Sequence, residues 1–291
     1  MAVAVSKRSP AWSGDWKRSI KSALPQWVRN WREAQYYLRY GEIELHLLGA
    51  LCALDRDSID VGAHDGCYVH FLRKLSRHVY AFEPIPWMAT DLIQKFPQRV
   101  TVRPEALSRA DGIATLHMPI VNGQSVPGCS TISDAASAVY PGARDITVPV
   151  RTLDGVYGGD AGFIKIDVEG HEIEVLEGAR ETIARSRPIF LIEVVERLSP
   201  NGVRTVTSFL GERGYEGFYV HRWRLLPVDT FDRASLQREE DYPDLTAPLS
   251  ARDRAPAFIY NFIYLPRERV ETVVPDLTAR LNHLAGRFTS R

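Results

Sequence analysis

The stretch Ser58-Ile-Asp-Val-Gly-Ala-His-Asp-Gly66 joins an apolar strand to a glycine-containing turn, and it decides the fold class. A second apolar segment, Val79–Phe82, is followed by the acid Glu83, 21 positions after Gly62. Glycines let backbone N–H groups approach a ligand, and an acid at the end of the next strand accepts hydrogen bonds from ribose hydroxyls. The two segments therefore predict a doubly wound α/β sheet that binds a nucleoside cofactor.

The acids in the turn indicate which nucleoside cofactor binds. A dinucleotide pyrophosphate favours three glycines and no neighbouring anions, because it rests on the positive N-terminus of a helix. Here the turn holds Gly62 and Gly66 together with Asp60 and Asp65. Two carboxylates suit a ligand that carries a sulfonium and an ammonium group. The sequence therefore favours S-adenosylmethionine over NAD.

Composition excludes several classes of protein. The 291 residues are 45% hydrophobic and 25% charged, which is typical of a globular protein, and the net charge is zero. The three cysteines are far apart, so we expect neither a disulfide framework nor a cysteine zinc site. No secretory leader is recognisable, and no apolar run reaches the ~18 residues of a membrane span. We expect a cytoplasmic protein without a transmembrane segment.

The N-terminal forty residues differ from the rest in charge and aromatic content. These residues include eight Lys or Arg but only two acids, Asp15 and Glu33, and they contain four of the six tryptophans. We predict a helical arm in two pieces, broken near Pro25. A peripheral contact with an anionic membrane, or a clamp on a saccharide, is one interpretation. Packing or homodimerisation is the preferred one. Outside the arm the charge pattern shows no nucleic-acid footprint, so we expect no nucleic-acid partner.

Strands and helices alternate along the rest of the chain, which predicts helices on both faces of a parallel sheet. We expect a Rossmann-like, doubly wound, mostly parallel seven-stranded sheet, with its ligand at the carboxyl ends of the strands. The Gly/Ser-rich stretch 121–140 is predicted to be a lid. We expect three parts: the arm at 1–41, the main domain at 42–266, and a C-terminal amphipathic helix at 267–291.

Four motifs stand in the order typical of one enzyme family: Asp60-Val-Gly-Ala-His-Asp-Gly66, Phe82-Glu-Pro84, Ala106-Leu-Ser-Arg-Ala-Asp-Gly112 and Ile164-Lys-Ile-Asp-Val-Glu-Gly-His-Glu172. Supporting matches are Val150-Arg-Thr-Leu-Asp154, Arg187-Pro-Ile-Phe-Leu-Ile-Glu193 and Asn261-Phe-Ile-Tyr-Leu-Pro266. Over about 42–266 the chain resembles the FkbM family of S-adenosylmethionine-dependent O-methyltransferases. The resemblance implies a class I methyltransferase fold and a sugar, glycolipid, polysaccharide or natural-product acceptor. One departure is His64, where the family usually has asparagine.

The resemblance also implies which residues bind the cofactor. Residues of the first turn hold the methionine end, those after the second strand hold the ribose, those after the third lie beside adenine, and one acid ends the fourth strand near the sulfonium. The residues at the methionine end are Asp60, Gly62, Ala63, His64 and Gly66. Those at the ribose are Glu83 and Pro84, those at adenine are Glu105 and Ala106, and the acid near the sulfonium is Asp167.

The segment from Lys165 to Glu172 is the predicted catalytic region. A neutral hydroxyl is a poor nucleophile, so it must be aligned and must lose its proton during or after methyl transfer. His171 is the preferred base, since an unperturbed imidazole has a pKa near ~6.5. Lys165, Glu169 and Glu172 complete the candidate set. A solvent-facing helix-start residue is the alternative for His171, and a carboxylate that stabilises the helix N-terminus is the alternative for Glu172.

A divalent cation is the rival to a protein base. Asp167 and Glu193 end neighbouring strands in the predicted order, and Mg²⁺ bound between them would lower the pKa of the acceptor hydroxyl. Two further functions stay open: an N-methyltransferase for a small amine, and a cofactor-binding module without catalysis. A dinucleotide oxidoreductase is disfavoured because the turn lacks a third glycine.

Overall fold

The computed structural model describes residues 25–121, 123–140, 142–242, 250 and 257–289. The first predicted piece of the arm, with Trp12 and Trp16, lies outside these residues. The second piece is a helix that begins directly after Pro25, as predicted. Among the described helices, none is both long and apolar enough for a membrane span.

Twelve strands lie within the described residues. They are β1 (Asp57–Val61), β2 (Val79–Phe82), β3 (Val100–Arg103), β4 (Ala106–Leu107), β5 (Gly112–Val121), β6 (Gln124–Ser125), β7 (Ala143–Arg151), β8 (Ala161–Ile166), β9 (Ile189–Glu193), β10 (Tyr215–His221), β11 (Arg224–Pro227) and β12 (Asn261–Pro266).

Eleven α-helices accompany them in the same residues. They are α1 (Gln26–Tyr40), α2 (Leu48–Leu51), α3 (Cys67–Leu75), α4 (Pro86–Lys95), α5 (Asp134–Ser137), α6 (Leu153–Val156), α7 (Glu172–Glu177), α8 (Arg180–Ser186), α9 (Gly202–Gly211), α10 (Arg233–Leu236) and α11 (Arg267–Thr289). Short 3-10 turns stand at Ile43–His46, Pro127–Cys129, Val228–Thr230 and Glu239–Asp241.

The main sheet has eight strands in the order β3-β2-β1-β8-β9-β12-β10-β11. The five strands from β3 to β9 are parallel to one another. Strand β12 is antiparallel to β9 and to β10, and β11 is antiparallel to β10. The Rossmann-like, mostly parallel α/β architecture is confirmed, but the sheet has one strand more than the seven expected. The extra strand is β11, which forms a hairpin with β10 at the sheet edge.

Both faces of the main sheet are buried, because successive residues of its central strands enter different apolar clusters. Phe163 packs with helices α3 and α11, while its neighbour Ile164 packs with α7 to α9. Leu191 and Ile192 of β9 likewise pack into different clusters, one on each face of the sheet. Alternation of this kind between two apolar clusters is typical of parallel strands covered by helices on both sides.

A second, smaller sheet in the order β4-β7-β5-β6 lies beside the main one. The predicted lid, 121–140, belongs largely to this region. Its described residues form β6, a 3-10 turn and α5, and Thr131 pairs with His117 of β5 in an isolated bridge. The lid segment is therefore anchored to a strand rather than being a free loop.

Two predicted helices are interrupted. The expected helix over 172–186 divides into α7 and α8 at Gly178, where a Cβ would stand 2.0 Å from the carbonyl oxygen of Ser108. This close packing allows only glycine at position 178. The expected helix over 42–54 consists of a 3-10 turn, Ile43–His46, followed by the single-turn helix α2.

The carboxyl ends of the central strands bring the predicted site together. Val61 of β1 pairs with Ile166 of β8, so Gly62 and Asp167 leave the sheet side by side. A Cβ on Gly62 would lie only 1.9 Å from the carbonyl oxygen of Asp167, which is why glycine is required there. This edge is the topological switch point at which doubly wound folds bind ligands.

Candidate active site

A cavity of about 400 Å³ opens at this edge of the sheet. Nine of the ten predicted cofactor residues line it: Asp60, Gly62, Ala63, His64, Glu83, Pro84, Glu105, Ala106 and Asp167. Gly66 does not. It has φ +81° and caps α3, and a Cβ there would lie 2.5 Å from the Phe96 ring, so Gly66 shapes the turn without lining the cavity.

His64 occupies a left-handed backbone position, with φ 48°. Asparagine and histidine tolerate that region better than most residues, which gives a physical reason for either at this point of the turn. Its backbone N–H donates to Glu83 Oε2 over 2.8 Å. The turn is thereby tied to the end of β2.

The Glu83 carboxylate is held rigidly at the end of β2. It is only 4% exposed, and its second oxygen, Oε1, accepts from the Ile85 N–H over 2.9 Å. Burial raises the pKa of Glu83, while these two backbone donors lower it, with a net rise. Each oxygen keeps a second lone pair, so the carboxylate can also accept from a ribose diol.

Asp60 shows the clearest unmet bonding capacity in the cavity wall. The residue is 1% exposed, and its Oδ2 atom has no hydrogen-bond partner among the described residues. Burial raises the pKa of Asp60 to about 7, although the nearby Lys165 ammonium lowers it. A buried carboxylate oxygen without a donor is costly. A cationic ligand group, such as the ammonium of S-adenosylmethionine, fits it.

Three carboxylates converge beyond Asp60. Oxygens of Asp167, Glu169 and Glu193 all lie within 4.8 Å of one another. Burial and the neighbouring acids raise the pKa values of Glu169 and Glu193 well above their usual range. Glu169 has φ 52° and lines the cavity, whereas Glu193 stands just behind it at the end of β9. Such a group can accept a proton or ligate a divalent cation.

The structure places the other predicted catalytic residues differently. His171 lines the cavity, but its Nε2 lies 2.8 Å from Ser108 Oγ and its Nδ1 lies 3.6 Å from Glu174 Oε2. Burial lowers the pKa of His171, although the nearby Glu174 carboxylate raises it. Glu172 does not line the cavity; its Oε1 accepts from the Gly170 N–H over 2.7 Å and so fixes the turn before α7.

The arm helix α1 contributes to the cavity wall, which sequence reasoning missed. Tyr37 and Tyr40 line the cavity, and the Tyr37 hydroxyl donates to the Asp65 carboxylate of the glycine turn. Lys95 pairs with Glu33 of α1 over 2.8 Å. The preferred interpretation of the arm, packing or homodimerisation, did not include this contact between α1 and the glycine turn.

A buried polar group from three distant segments was also missed. Asn261 donates through Nδ2 to Glu42 Oε2 over 3.1 Å and to Glu44 Oε2 over 3.4 Å, and the Tyr68 hydroxyl donates to Glu42. Burial raises the pKa of Glu44 to about 8. The motif that begins at Asn261 supported the family resemblance, but nothing local linked it to Glu42 and Glu44.

Comparison with known families identifies the fold and its class of chemistry. Residues 60–216, more than half of the chain, match the methyltransferase FkbM domain. The chain belongs to the FkbM methyltransferase family. The family resemblance and the predicted class of fold are thereby confirmed, and S-adenosylmethionine is the cofactor of such enzymes. The match includes the glycine turn, Glu83, the acids Asp167 and Glu169 after β8, and Glu193 at the end of β9.

Several solved structures are similar to this FkbM-family chain. An FkbM methyltransferase from Methylobacillus flagellatus KT is 16% identical, with 72% of this chain and 43% of that chain covered and a TM-score of 0.45. This chain therefore spans less than half the length of that protein. A protein from Streptococcus mutans, assigned as a methyltransferase and crystallised with S-adenosylhomocysteine, is 11% identical, with 76% and 95% covered and a TM-score of 0.41. An rRNA methylase from Streptococcus thermophilus is 10% identical, with 77% and 94% covered and a TM-score of 0.42. A comparison with curated proteins gave no match.

Proposed function

We propose that this S-adenosylmethionine-dependent methyltransferase transfers the methyl group to a hydroxyl oxygen of a sugar, glycolipid, polysaccharide or natural-product acceptor. The observation that carries the proposal is the position of the carboxylates of Asp167 and Glu169. Both carboxylates line the same cavity as the cofactor-binding candidates Asp60 and Glu83. Oxygens that can accept a proton therefore lie near the expected position of the methyl donor. A hydroxyl acceptor needs such a group to take its proton, while a free amine does not.

The cofactor fits the residues along this edge as follows. Glu83 accepts from the ribose hydroxyls, and Asp60 Oδ2 receives the ammonium of the methionine part. Glu105, whose carboxylate is held by Arg103 over 2.8 Å, and Ala106 lie on the adenine side. When bound, S-adenosylmethionine supplies an electrophilic methyl group on a sulfonium. The residues of the chain align the acceptor and take its proton.

Glu169 is the residue best placed to take the proton. Its carboxylate lines the cavity and stands at the acid cluster, while both ring nitrogens of His171 already face Ser108 and Glu174. Burial and the neighbouring acids raise the pKa of Glu169, and a raised pKa makes the carboxylate form a stronger proton acceptor. His171 then positions the loop around Ser108, and Lys165 neutralises Asp167. Glu172 supports the turn.

A divalent cation is the alternative route to the same reaction. Asp167, Glu169 and Glu193 offer three oxygens within 4.8 Å of one another, and oxygen ligands suit Mg²⁺. The cation would bind the acceptor oxygen and lower its pKa. This route uses Glu193, which the base route does not need.

Methyl transfer to a small amine is the second candidate function. The same carboxylates would then accept hydrogen bonds from the N–H groups of the neutral amine, whose lone pair attacks the methyl group. The two functions are separated by a turnover assay with isotope-labelled cofactor and matched acceptors, for example a methyl glycoside and the corresponding amino sugar. Label in a methyl ether supports the proposal, and label only on nitrogen contradicts it. A cofactor-binding module without catalysis would transfer no label to either acceptor or to an extract of the source cells.

Several wider expectations stay predictions. These are the division into parts at 1–41, 42–266 and 267–291, a cytoplasmic location, and homodimerisation or peripheral membrane contact through the arm. The contacts of Tyr37 with the glycine turn favour packing as the role of the arm's second half.

A further inference from the structure

The hairpin between β10 and β11 has an unusual turn. His221 pairs with Arg224, so Arg222 and Trp223 alone make the connection. Both have left-handed backbones, with φ 49° and 65°. A two-residue turn of this kind favours Asn-Gly, and bulky side chains there are strained. Strain that persists against this preference is often found at functional sites.

The strained turn faces the cavity. Arg222 and Trp223 both belong to its wall. The Trp223 ring stacks on Phe288 of α11, with centroids 5.5 Å apart and planes 19° apart. Helix α11 therefore braces the turn from one side. This contact holds the Trp223 ring in place at the cavity wall, which a flexible surface turn would not do.

The position of the turn along the sheet separates it from the cofactor. Strand β10 lies three strands beyond β8 in the order β8-β9-β12-β10. With neighbouring strands ~4.8 Å apart, the turn stands roughly 14 Å from the end of β8. The predicted cofactor residues follow β1, β2, β3 and β8, all on the other side. Val220, two residues before the turn, also lines the cavity. This end is therefore available to the acceptor.

Arg222 gives this end of the cavity a cationic group, although the acids Glu42 and Glu44 also line the cavity and accept hydrogen bonds from Asn261 of the neighbouring strand β12. Asp60, Glu83 and Asp167 make the cofactor end acidic, and Lys165 there is already paired with Asp167. Arg222 is exposed, and the described part of the chain offers it no ion-pair partner. A guanidinium at a cavity rim binds phosphate or carboxylate through two parallel hydrogen bonds.

We propose that Arg222 and Trp223 form the distal end of the acceptor subsite, and that the acceptor is a ring-containing molecule with a phosphate or carboxylate group. This inference rests on the proposed function, because it assumes an acceptor in this half of the cavity. The anionic group pairs with Arg222, the ring lies against Trp223, and the reacting hydroxyl reaches the acids after β8.

The test measures binding to the protein saturated with S-adenosylhomocysteine. The probes are phenyl glucoside, its 6-phosphate and phenyl glucuronide, titrated by calorimetry. We expect at least one anionic probe to bind at least about tenfold more tightly than the neutral one. Arg222→Asn should abolish that preference and Arg222→Lys should retain part of it. The matched control Arg224→Gln removes an exposed arginine of the same hairpin that does not line the cavity, and it should retain the full preference.

A second readout is independent of probe choice. Asparagine suits a left-handed backbone, so Arg222→Asn should raise the melting temperature while S-adenosylhomocysteine affinity stays unchanged. The proposal is overturned if neither anionic probe binds better than the neutral one, if Arg224→Gln loses the preference equally, or if Arg222→Asn chiefly weakens cofactor binding. Failure of O-methylation would appear separately, as label on nitrogen, and it would leave these binding results standing.

Discussion

The ammonium group of Lys165 donates a hydrogen bond to Asp167 Oδ2 across 2.9 Å, although Lys165 is only 2% exposed. Burial alone would lower the pKa of Lys165, but the carboxylates of Asp167, Glu42 and Glu193 raise it above its usual value. The lysine also lies over the Tyr68 ring, 4.7 Å from its centroid. A charged lysine therefore forms part of the buried wall of the site, and its positive charge offsets the negative charge of the acids around it.

Replacing this lysine should destabilise the fold. Lys165→Met leaves Asp167 and its neighbours without their buried cation, and breaking one partner of a buried pair costs about 3–5 kcal/mol. Urea unfolding monitored by circular dichroism measures the loss. Lys165→Arg, which keeps the charge, is the control. A change below about 1 kcal/mol in Lys165→Met would show that the pair is dispensable for stability.

Removing the proposed base should lower turnover without lowering cofactor affinity. Glu169→Gln is expected to reduce kcat by the ~10²–10⁴ typical of a lost general base. His171→Ala should have a milder effect, because its ring nitrogens are engaged by Ser108 and Glu174. Steady-state kinetics and calorimetry with S-adenosylhomocysteine give the two readouts. The reverse order of effects would return the role of base to His171.

Chelation distinguishes the base route from the cation route. If Glu169 takes the proton unaided, dialysis against EDTA should leave turnover unchanged, and this is the outcome we expect. Glu193→Gln should then be close to wild type in turnover, because Glu193 does not line the cavity. Loss of turnover on chelation, with recovery on addition of Mg²⁺ or Mn²⁺, would instead assign Asp167, Glu169 and Glu193 as cation ligands.

Acid should weaken the contact between α1 and the glycine turn. Burial alone would raise the pKa of Asp65, but the His64 ring, the Tyr37 hydroxyl and Lys95 together lower it to about 2. A lowered carboxyl pKa stabilises the fold above the unfolded value of ~3.9, and this stabilisation is lost as the pH falls towards 2. The difference in unfolding free energy between wild type and Asp65→Asn should shrink below pH ~4, and it should also shrink as the pH rises through the raised pKa of His64, which lies above the ordinary ~6.5. A constant difference down to pH ~2 would exclude this linkage.

The elements around the cofactor were predictable from sequence because their signals are local. Strands β2 and β3 have the predicted bounds: β2 is a short apolar run bounded by polar residues, and β3 contains the β-branched residues Val100, Thr101 and Val102. Glu83 and Asp167 line the cavity because parallel strands with a shared direction end at one edge.

The parts that sequence reasoning missed depend on contacts between distant residues. The break at Gly178 follows from the carbonyl of Ser108, far away along the chain. The hairpin between β10 and β11 has Arg222 and Trp223 at its turn, where glycine or asparagine is the usual sequence signal. The hydrogen bond from Asn261 to Glu42 joins residues near the two ends of the domain, so the sequence around either residue does not predict it.

Calorimetric titration of S-adenosylhomocysteine into wild-type protein and Glu83→Ala tests the placement of the cofactor most directly. Wild type should bind saturably. Glu83→Ala loses a charged acceptor for the ribose diol, worth about 1.5–3 kcal/mol, and should bind at least about tenfold more weakly. Glu212→Ala, at an exposed carboxylate in the turn after α9, should match wild type. Equal affinity of Glu83→Ala and wild type would contradict the proposed cofactor site.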